Sequence, residues 1–301
     1  MEQAFSYPRF NSDVQPDNNR VQRTSLKPTT LPSTPPPILK EHYILANFDS
    51  GRLGNELFRL ASLIGIADKH RYMPVVDRHI ASITSIFNSS IRVIKKLNNS
   101  RRFSEKAAGK YDTRIHNIST HYNWTLNGYF QSWKYFVNVT QTLRKEFQFL
   151  PHIIKEAKQL LPPRYKPLIG VHVRRGDMNS LRQIKRGYNV ADIGYLNRSM
   201  GYFRHTLGSV SFIVVSDDIN WCKKYLQMPD VKIVRGSHVV DLAVLSLCDH
   251  NIVTTGTFGW WGAWLAGGKT VYFKNFPKND TWLDKQYEKS DYYPPHWVGM
   301  L

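Results

Sequence analysis

Apolar residues along this chain follow two spacings, one of two residues and one of three to four, and the two alternate. The run HYILANFD (residues 42–49) is β-rich and ends in the turn Asp49-Ser50-Gly51, which predicts a strand. The next stretch, GRLGNELFRLASLIGIADKH (51–70), is a glycine turn feeding a helix, with Leu57, Leu60, Ala61, Ile64 and Ala67 on one face. MPVVD (73–77) then reads as a buried strand, and a βαβ start of this kind predicts an α/β sheet. Residues 88–125 are polar and predict surface, and an amphipathic helix is predicted near 139–161. Pro162-Pro163 breaks the chain, and a second α/β pattern follows.

In that second half PLIGVHVRR (167–175), VSFIVVSDD (210–218), VKIVRG (231–236) and KTVYF (269–273) predict strands. DLAVLSLCDHNIVTT (241–255) predicts a helix running into a further strand. Period two along 167–175 places His172 and Arg174 on one face near the carboxyl end. In parallel sheets ligands sit outside the carboxyl ends of strands, and RRGD, SDD and TGTFG all fall there.

The first 41 residues differ in kind. They hold PSTPPP (32–37) and little apolar patterning, which predicts a disordered stem over 1–41. The rest divides at the proline pair into an α/β lobe over 42–163 and a second over 164–301.

Charge narrows the partner only to an anion. There are 41 Lys and Arg against 23 Asp and Glu, a net +18 that attracts nucleic acid, membrane surfaces, sulfated glycans or nucleotide phosphates alike. Two cysteines, Cys222 and Cys248, exclude a disulfide scaffold and a four-cysteine zinc site, and leave a single bond or two buried thiols open.

Asn-X-Ser/Thr acceptors begin at Asn88, Asn98, Asn117, Asn123, Asn138, Asn197 and Asn279. Composition alone gives about two or three, so the excess predicts a chain made in the secretory pathway. No apolar run is long enough to span a bilayer, and MEQAFSYPRF is not a signal peptide. A membrane anchor outside this chain is the expectation, with a later-than-true start or a cytoplasmic protein as the alternatives.

The tandem Arg174-Arg175 after His172 offers a planar fork that can neutralise a diphosphate. In transfer from a nucleotide sugar, charge builds on that diphosphate as the bond breaks, and fixed donors there lower the barrier. The motif by itself also fits a solvated loop. TTGTFGWWGAWLAGG (254–268) adds a glycine turn opening an apolar helix, whose free N–H groups suit phosphate. Trp260, Trp261 and Trp264 on that helix read as core before sugar platform. Asp217-Asp218 has the composition of a metal pair, but adjacent residues of an extended chain point apart, and the histidines show no metal-ligand spacing.

Together these segments resemble the α-1,2-fucosyltransferases, the inverting family of the blood-group H and secretor enzymes, glycosyltransferase family 11. The resemblance runs in order through GRLGNE (51–56), GYFQSW (128–133), GVHVRRGD (170–177), FIVVSDDINWC (212–222), Asp241 leading a helix, TTGTFGWWGAWLAGG and PPHWVG (294–299). It implies a GT-B-like α/β fold, two Rossmann-like lobes facing a cleft, the first on the acceptor side and the second binding GDP-fucose. The implied reaction is inverting transfer of L-fucose to O2 of a terminal galactose on a glycan, with no metal or other cofactor, and no nucleic acid as partner. It also implies a type II membrane enzyme of the Golgi lumen.

By the same resemblance Arg174 contacts the β-phosphate and leaving oxygen, Arg175 supports it and His172 lies beside the guanosine. Asp241 reads guanine, and Thr257 and Phe258 line the diphosphate. Glu56 stands where relatives carry Gln, and its carboxylate fits either a helix cap or a base for the acceptor hydroxyl. Asp177 fits either a base or a group that orients an arginine. An inactive relative that binds GDP or glycan is the alternative function.

Overall fold

The structure is a computed structural model and describes residues 42–46, 51–78 and 81–301. The predicted stem and the end of the first strand with its turn, 47–50, lie outside the described residues.

β1 (Tyr43–Ala46), α1 (Leu53–His70) and β2 (Met73–Val76) form the predicted βαβ unit, with Tyr43 paired to Met73 in parallel. β3 (Arg92–Val93), β4 (Ser100–Ser104) and β5 (Asn123–Asn127) complete a parallel sheet in the order β3-β2-β1-β5-β4. The polar stretch 88–125 was expected at the surface, yet it supplies both edge strands. The reason is visible in β4, which buries Phe103 alone. An edge strand with one core position carries too little apolar signal to stand out from a loop.

α2 (Ala81–Thr84), α3 (Thr140–Glu146) and α4 (Pro151–Leu160) follow the first helix. The single helix predicted near 139–161 is thus two. Pro151 sits in the first turn of α4, where its missing N–H costs nothing, and Leu150 before it is extended. Phe149 in the break pairs with Phe87.

The second sheet is built from β6 (Leu168–Val173), β7 (Ser211–Ser216), β8 (Val231–Ile233), β9 (His250–Val253), β10 (Thr270–Phe273) and β11 (Val298–Met300). Between them run α5 (Leu181–Arg186), α6 (Ile193–Leu207), α7 (Ile219–Tyr225), α8 (His238–Ser246), α9 (Thr257–Ala266), α10 (Trp282–Lys285) and α11 (Lys289–Tyr292). The order is β11-β10-β9-β6-β7-β8, all parallel. From β6 the chain winds outward through β7 and β8, then returns to β9 on the other side of β6. That reversal makes the carboxyl ends of β6 and β9 a topological switch point, where such sheets hold ligands.

Both sheets belong to one compact unit. Phe58 of α1 packs on Trp260 and Trp261 of α9, ring centres 4.5 and 5.1 Å apart, and both tryptophans are buried. Each such side chain contributes about 2–3 kcal/mol of burial, so these tryptophans are core. Cys222 and Cys248 are buried free thiols. No helix among the described residues is long and apolar enough to cross a membrane.

Candidate active site

A cavity of about 1380 Å³ opens over the switch point. β6 ends at Val173, and Thr254, just past β9, bridges the two strands. Its hydroxyl donates to the His172 carbonyl at 3.1 Å and accepts the Arg174 N–H at 2.9 Å. The Arg174 side chain is thereby launched into the cavity, where it pairs with Asp177 and Asp217. Burial draws its basicity down, and Asp177 opposes that shift. Asp217 also accepts the Arg175 N–H at 2.8 Å, so one carboxylate fixes both backbone and side chain of the motif.

Asp218 instead caps α7 through the Trp221 N–H at 3.1 Å. The aspartate pair is therefore split between two tasks, as its spacing predicts.

Two helices open onto the same cavity. α1 begins after Arg52 and α9 after Gly256, and neither start is capped by a side chain. Their first-turn N–H groups and positive dipole ends face anionic ligand space. The approach depends on Gly54, since a Cβ there would fall 2.7 Å from the Thr257 carbonyl carbon and 2.8 Å from the Phe258 nitrogen. Asn55 then joins the pieces. Its Oδ1 accepts from the Thr257 hydroxyl at 2.8 Å and from Gln131 Nε2 at 3.0 Å.

Of the residues singled out in the sequence, His172, Arg174, Asp177, Glu56, Asp241, Thr257 and Phe258 all line this cavity. His172 is buried beside Phe258, ring centres 5.4 Å apart, and burial with the nearby Arg174 charge pulls it down to about 3. It is a neutral imidazole. Asp241 sits in the first turn of α8 and accepts the Gly236 N–H at 2.8 Å, while burial raises its pKa above the ordinary carboxylate value. Asp177 bonds Arg52 at 3.1 Å as well as Arg174, which fits an orienting carboxylate. Glu56 lies in the first turn of α1, and no side chain caps that helix.

Arg175 is the exception, for its side chain leaves the cavity. It stacks on Trp221 at 4.0 Å and donates to the Ala191 carbonyl at 3.2 Å. Successive residues after a strand point to opposite sides, so tandem arginines cannot both face one ligand.

A further part of the wall comes from the segments after β4 and β5, which bring Glu105, Tyr129 and Gln131 to the cavity, and Tyr287, just after α10, joins them. Tyr287 donates to Gln131 Oε1 at 2.5 Å. Sequence reasoning placed SDD at a strand end but weighed Asp217 only as half of a metal pair, and it missed Glu105 and Tyr129 as wall residues. Only the position of GYFQSW within an ordered series of motifs pointed to Tyr129.

Comparison with known proteins adds the chemistry. The model of "Glycosyl transferase family 11" matches residues 48–301. The chain belongs to glycosyl transferase family 11. A galactoside 2-alpha-L-fucosyltransferase of Mus musculus is 32% identical over 267 residues, covering 83% of this chain and 72% of its own. Galactoside alpha-(1,2)-fucosyltransferase 1 of Homo sapiens is 29% identical over 278 residues, covering 84% and 74%. This family 11 member is accordingly a fucosyltransferase. NodZ alpha-1,6-fucosyltransferase co-crystallised with GDP has a similar fold, with TM-score 0.52, 14% identity, and 79% of this chain and 96% of that one covered. An Arabidopsis thaliana FUT1 variant in complex with GDP gives TM-score 0.54 at 14% identity, covering 82% and 73%. The fold is GT-B-like α/β, as the resemblance implied.

Proposed function

We propose that the enzyme transfers L-fucose from GDP-fucose to O2 of a terminal galactose on a glycan, with inversion at C1. The observation that carries this reading is Arg174, held by two carboxylates at a sheet switch point and flanked by two uncapped helix starts. That is a site for a diphosphate whose negative charge grows during reaction. A neighbour of the same fold co-crystallised with GDP supports the choice of donor, and 2-alpha-L-fucosyltransferase relatives support the choice of acceptor.

In this mechanism the acceptor hydroxyl attacks fucose C1 from the face opposite GDP. The new C1–O bond forms as the C1–O–phosphate bond breaks, and GDP departs with the electron pair against Arg174 and the N–H groups of α1 and α9. Thr257 and Phe258 line the diphosphate. Asp241 accepts from the guanine N1–H and amino group, and the neutral His172 packs beside the guanosine. Arg175 supports Arg174 through its backbone N–H on Asp217.

Asp177 orients Arg174. Glu56 is the carboxylate assigned to take the hydroxyl proton, a modest contribution where the transition state resembles an oxocarbenium ion. The guanidinium carries the leaving-group charge, and the reaction is metal-independent in this reading. The Golgi lumen is the compartment it implies.

Kinetics of Arg174→Ala test the reading. Turnover should fall by about 10²–10³ with circular dichroism unchanged, while near-wild-type turnover would overturn it.

A further inference from the structure

The segment 128–132 is held more tightly than a cavity wall requires, and the donor side gives it no task. Gly128 has φ +150 and Phe130 has φ +50, a region that side-chain-bearing residues seldom enter. Four bonds fix it. The Gly128 carbonyl accepts from Arg59 Nε at 2.8 Å, and the Phe130 N–H donates to Glu105 Oε2 at 2.7 Å. The Phe130 carbonyl accepts from Ser62 at 2.9 Å, and the Gln131 N–H donates to the Ala108 carbonyl at 2.8 Å. A Cβ on Gly128 would fall 2.8 Å from the Glu105 carboxyl carbon, so glycine is required on both counts.

Strain pinned this thoroughly is found where one side chain must stand in a set place. That side chain is Tyr129, half-buried in the cavity wall, with the guanidinium of buried Arg59 4.6 Å from its ring centre. The same cavity is lined by Arg174, Thr257 and Phe258.

We propose that Tyr129 is the platform on which the acceptor sugar rests, with Glu105 the positioning residue that holds it; this builds on the fucosyltransferase reading above. A pyranose presents an apolar C–H face and a polar rim, which suits a ring with one fixed orientation and a hydroxyl tip. Arg59 against the ring removes its freedom before the sugar arrives. Glu105 contributes by its hold on the Phe130 N–H, and its second oxygen is buried with no hydrogen-bond partner among the described residues.

The test uses the methyl β-glycosides of galactose, glucose and N-acetylglucosamine at saturating GDP-fucose, together with calorimetric titration of GDP. Tyr129→Ala should raise the acceptor KM by about ten-fold or more while GDP affinity stays within about two-fold. Tyr129→Phe should restore the acceptor KM to within about three-fold of wild type. Glu105→Ala should repeat the acceptor effect, and Glu105→Gln, which keeps an acceptor oxygen, should rescue it. An unchanged acceptor KM in Tyr129→Ala, or an equal loss of GDP affinity, overturns the inference alone. Should wild type bind GDP yet transfer fucose to none of the glycosides, the proposed function and this inference fall together. If Glu105→Ala does not fold, the Tyr129 pair decides.

Discussion

Asn55 and Thr257, 202 residues apart in sequence, share a hydrogen bond of 2.8 Å that ties the start of α1 to the start of α9. Both helix starts face the cavity, so this bond sets the spacing of the two groups of N–H donors. Thr257→Val removes the donor and leaves Asn55 with Gln131 alone. GDP affinity should then weaken by a factor of about five to ten, near 1 kcal/mol. Thr257→Ser keeps the hydroxyl and should stay close to wild type by the same calorimetry.

Asp217 pairs with Arg174 and also holds the Arg175 N–H. Its loss leaves the guanidinium with Asp177 alone. Asp217→Ala should lower kcat by about ten- to a hundred-fold with a smaller change in the acceptor KM, because a group aimed at the transition state is displaced. Asp217→Asn retains an oxygen for the Arg175 N–H and should fall between the two. Steady-state kinetics on both variants check the order.

The second sheet was largely legible, and the reason is burial. All six residues of β6 are buried, so its apolar run is dense and ends sharply at the arginines. The same density marked β7, β9 and the helix carrying Trp260. The first lobe was harder to read, because β3 and β4 are short, polar edges. At the site, parity put His172 and Arg174 together, as the structure does. The reading of the tandem arginines as one diphosphate fork, like the resemblance, placed Arg175 at the donor, and its side chain lies on Trp221 instead. Asp217 was legible only as part of SDD at a strand end, without its tie to the arginines, and Glu105 and Tyr129 carry no such signal. Their roles arise from partners 42, 25 and 69 residues removed, in the bonds Asp217–Arg175, Glu105–Phe130 and the Arg59–Gly128 contact beside Tyr129.

Stability should depend on pH through two groups of opposite sign, the half-buried Glu105 and the buried His172. Burial pushes the Glu105 carboxyl from 4.5 up to about 8, against the pull of the Phe130 and Tyr129 N–H groups and Arg59, with Asp112 pushing the same way as burial. A carboxyl kept neutral in the fold contributes stability that is full below 4.5 and lost as pH rises to about 8. His172 runs from 6.5 down to about 3, so its contribution is full above 6.5 and lost as pH falls. Urea unfolding should show Glu105→Gln abolishing a loss of up to about 1.4 kcal/mol per pH unit between neutral pH and 8. An alkaline limb equal to that of wild type would contradict the burial argument.

Six of the seven sequon asparagines, Asn88, Asn98, Asn117, Asn138, Asn197 and Asn279, are exposed, whereas Asn123 is half-buried in β5 and accepts the Tyr43 N–H at 2.9 Å. A glycan would be attached at Asn123 Nδ2, which donates to the Asn98 carbonyl at 3.5 Å, and would have to displace that contact on a half-buried side chain. Peptide mapping of secreted protein before and after glycosidase release should find glycans among the six and none on Asn123.

The most direct test of the account is the product itself. The purified chain is incubated with GDP-fucose and a glycan array, and each product is analysed for linkage and anomeric configuration. The account predicts α-linked fucose on O2 of terminal galactose, formed with release of GDP and lost in Arg174→Ala. Binding of GDP without fucose transfer to any glycan, or transfer undiminished in Arg174→Ala, would contradict it.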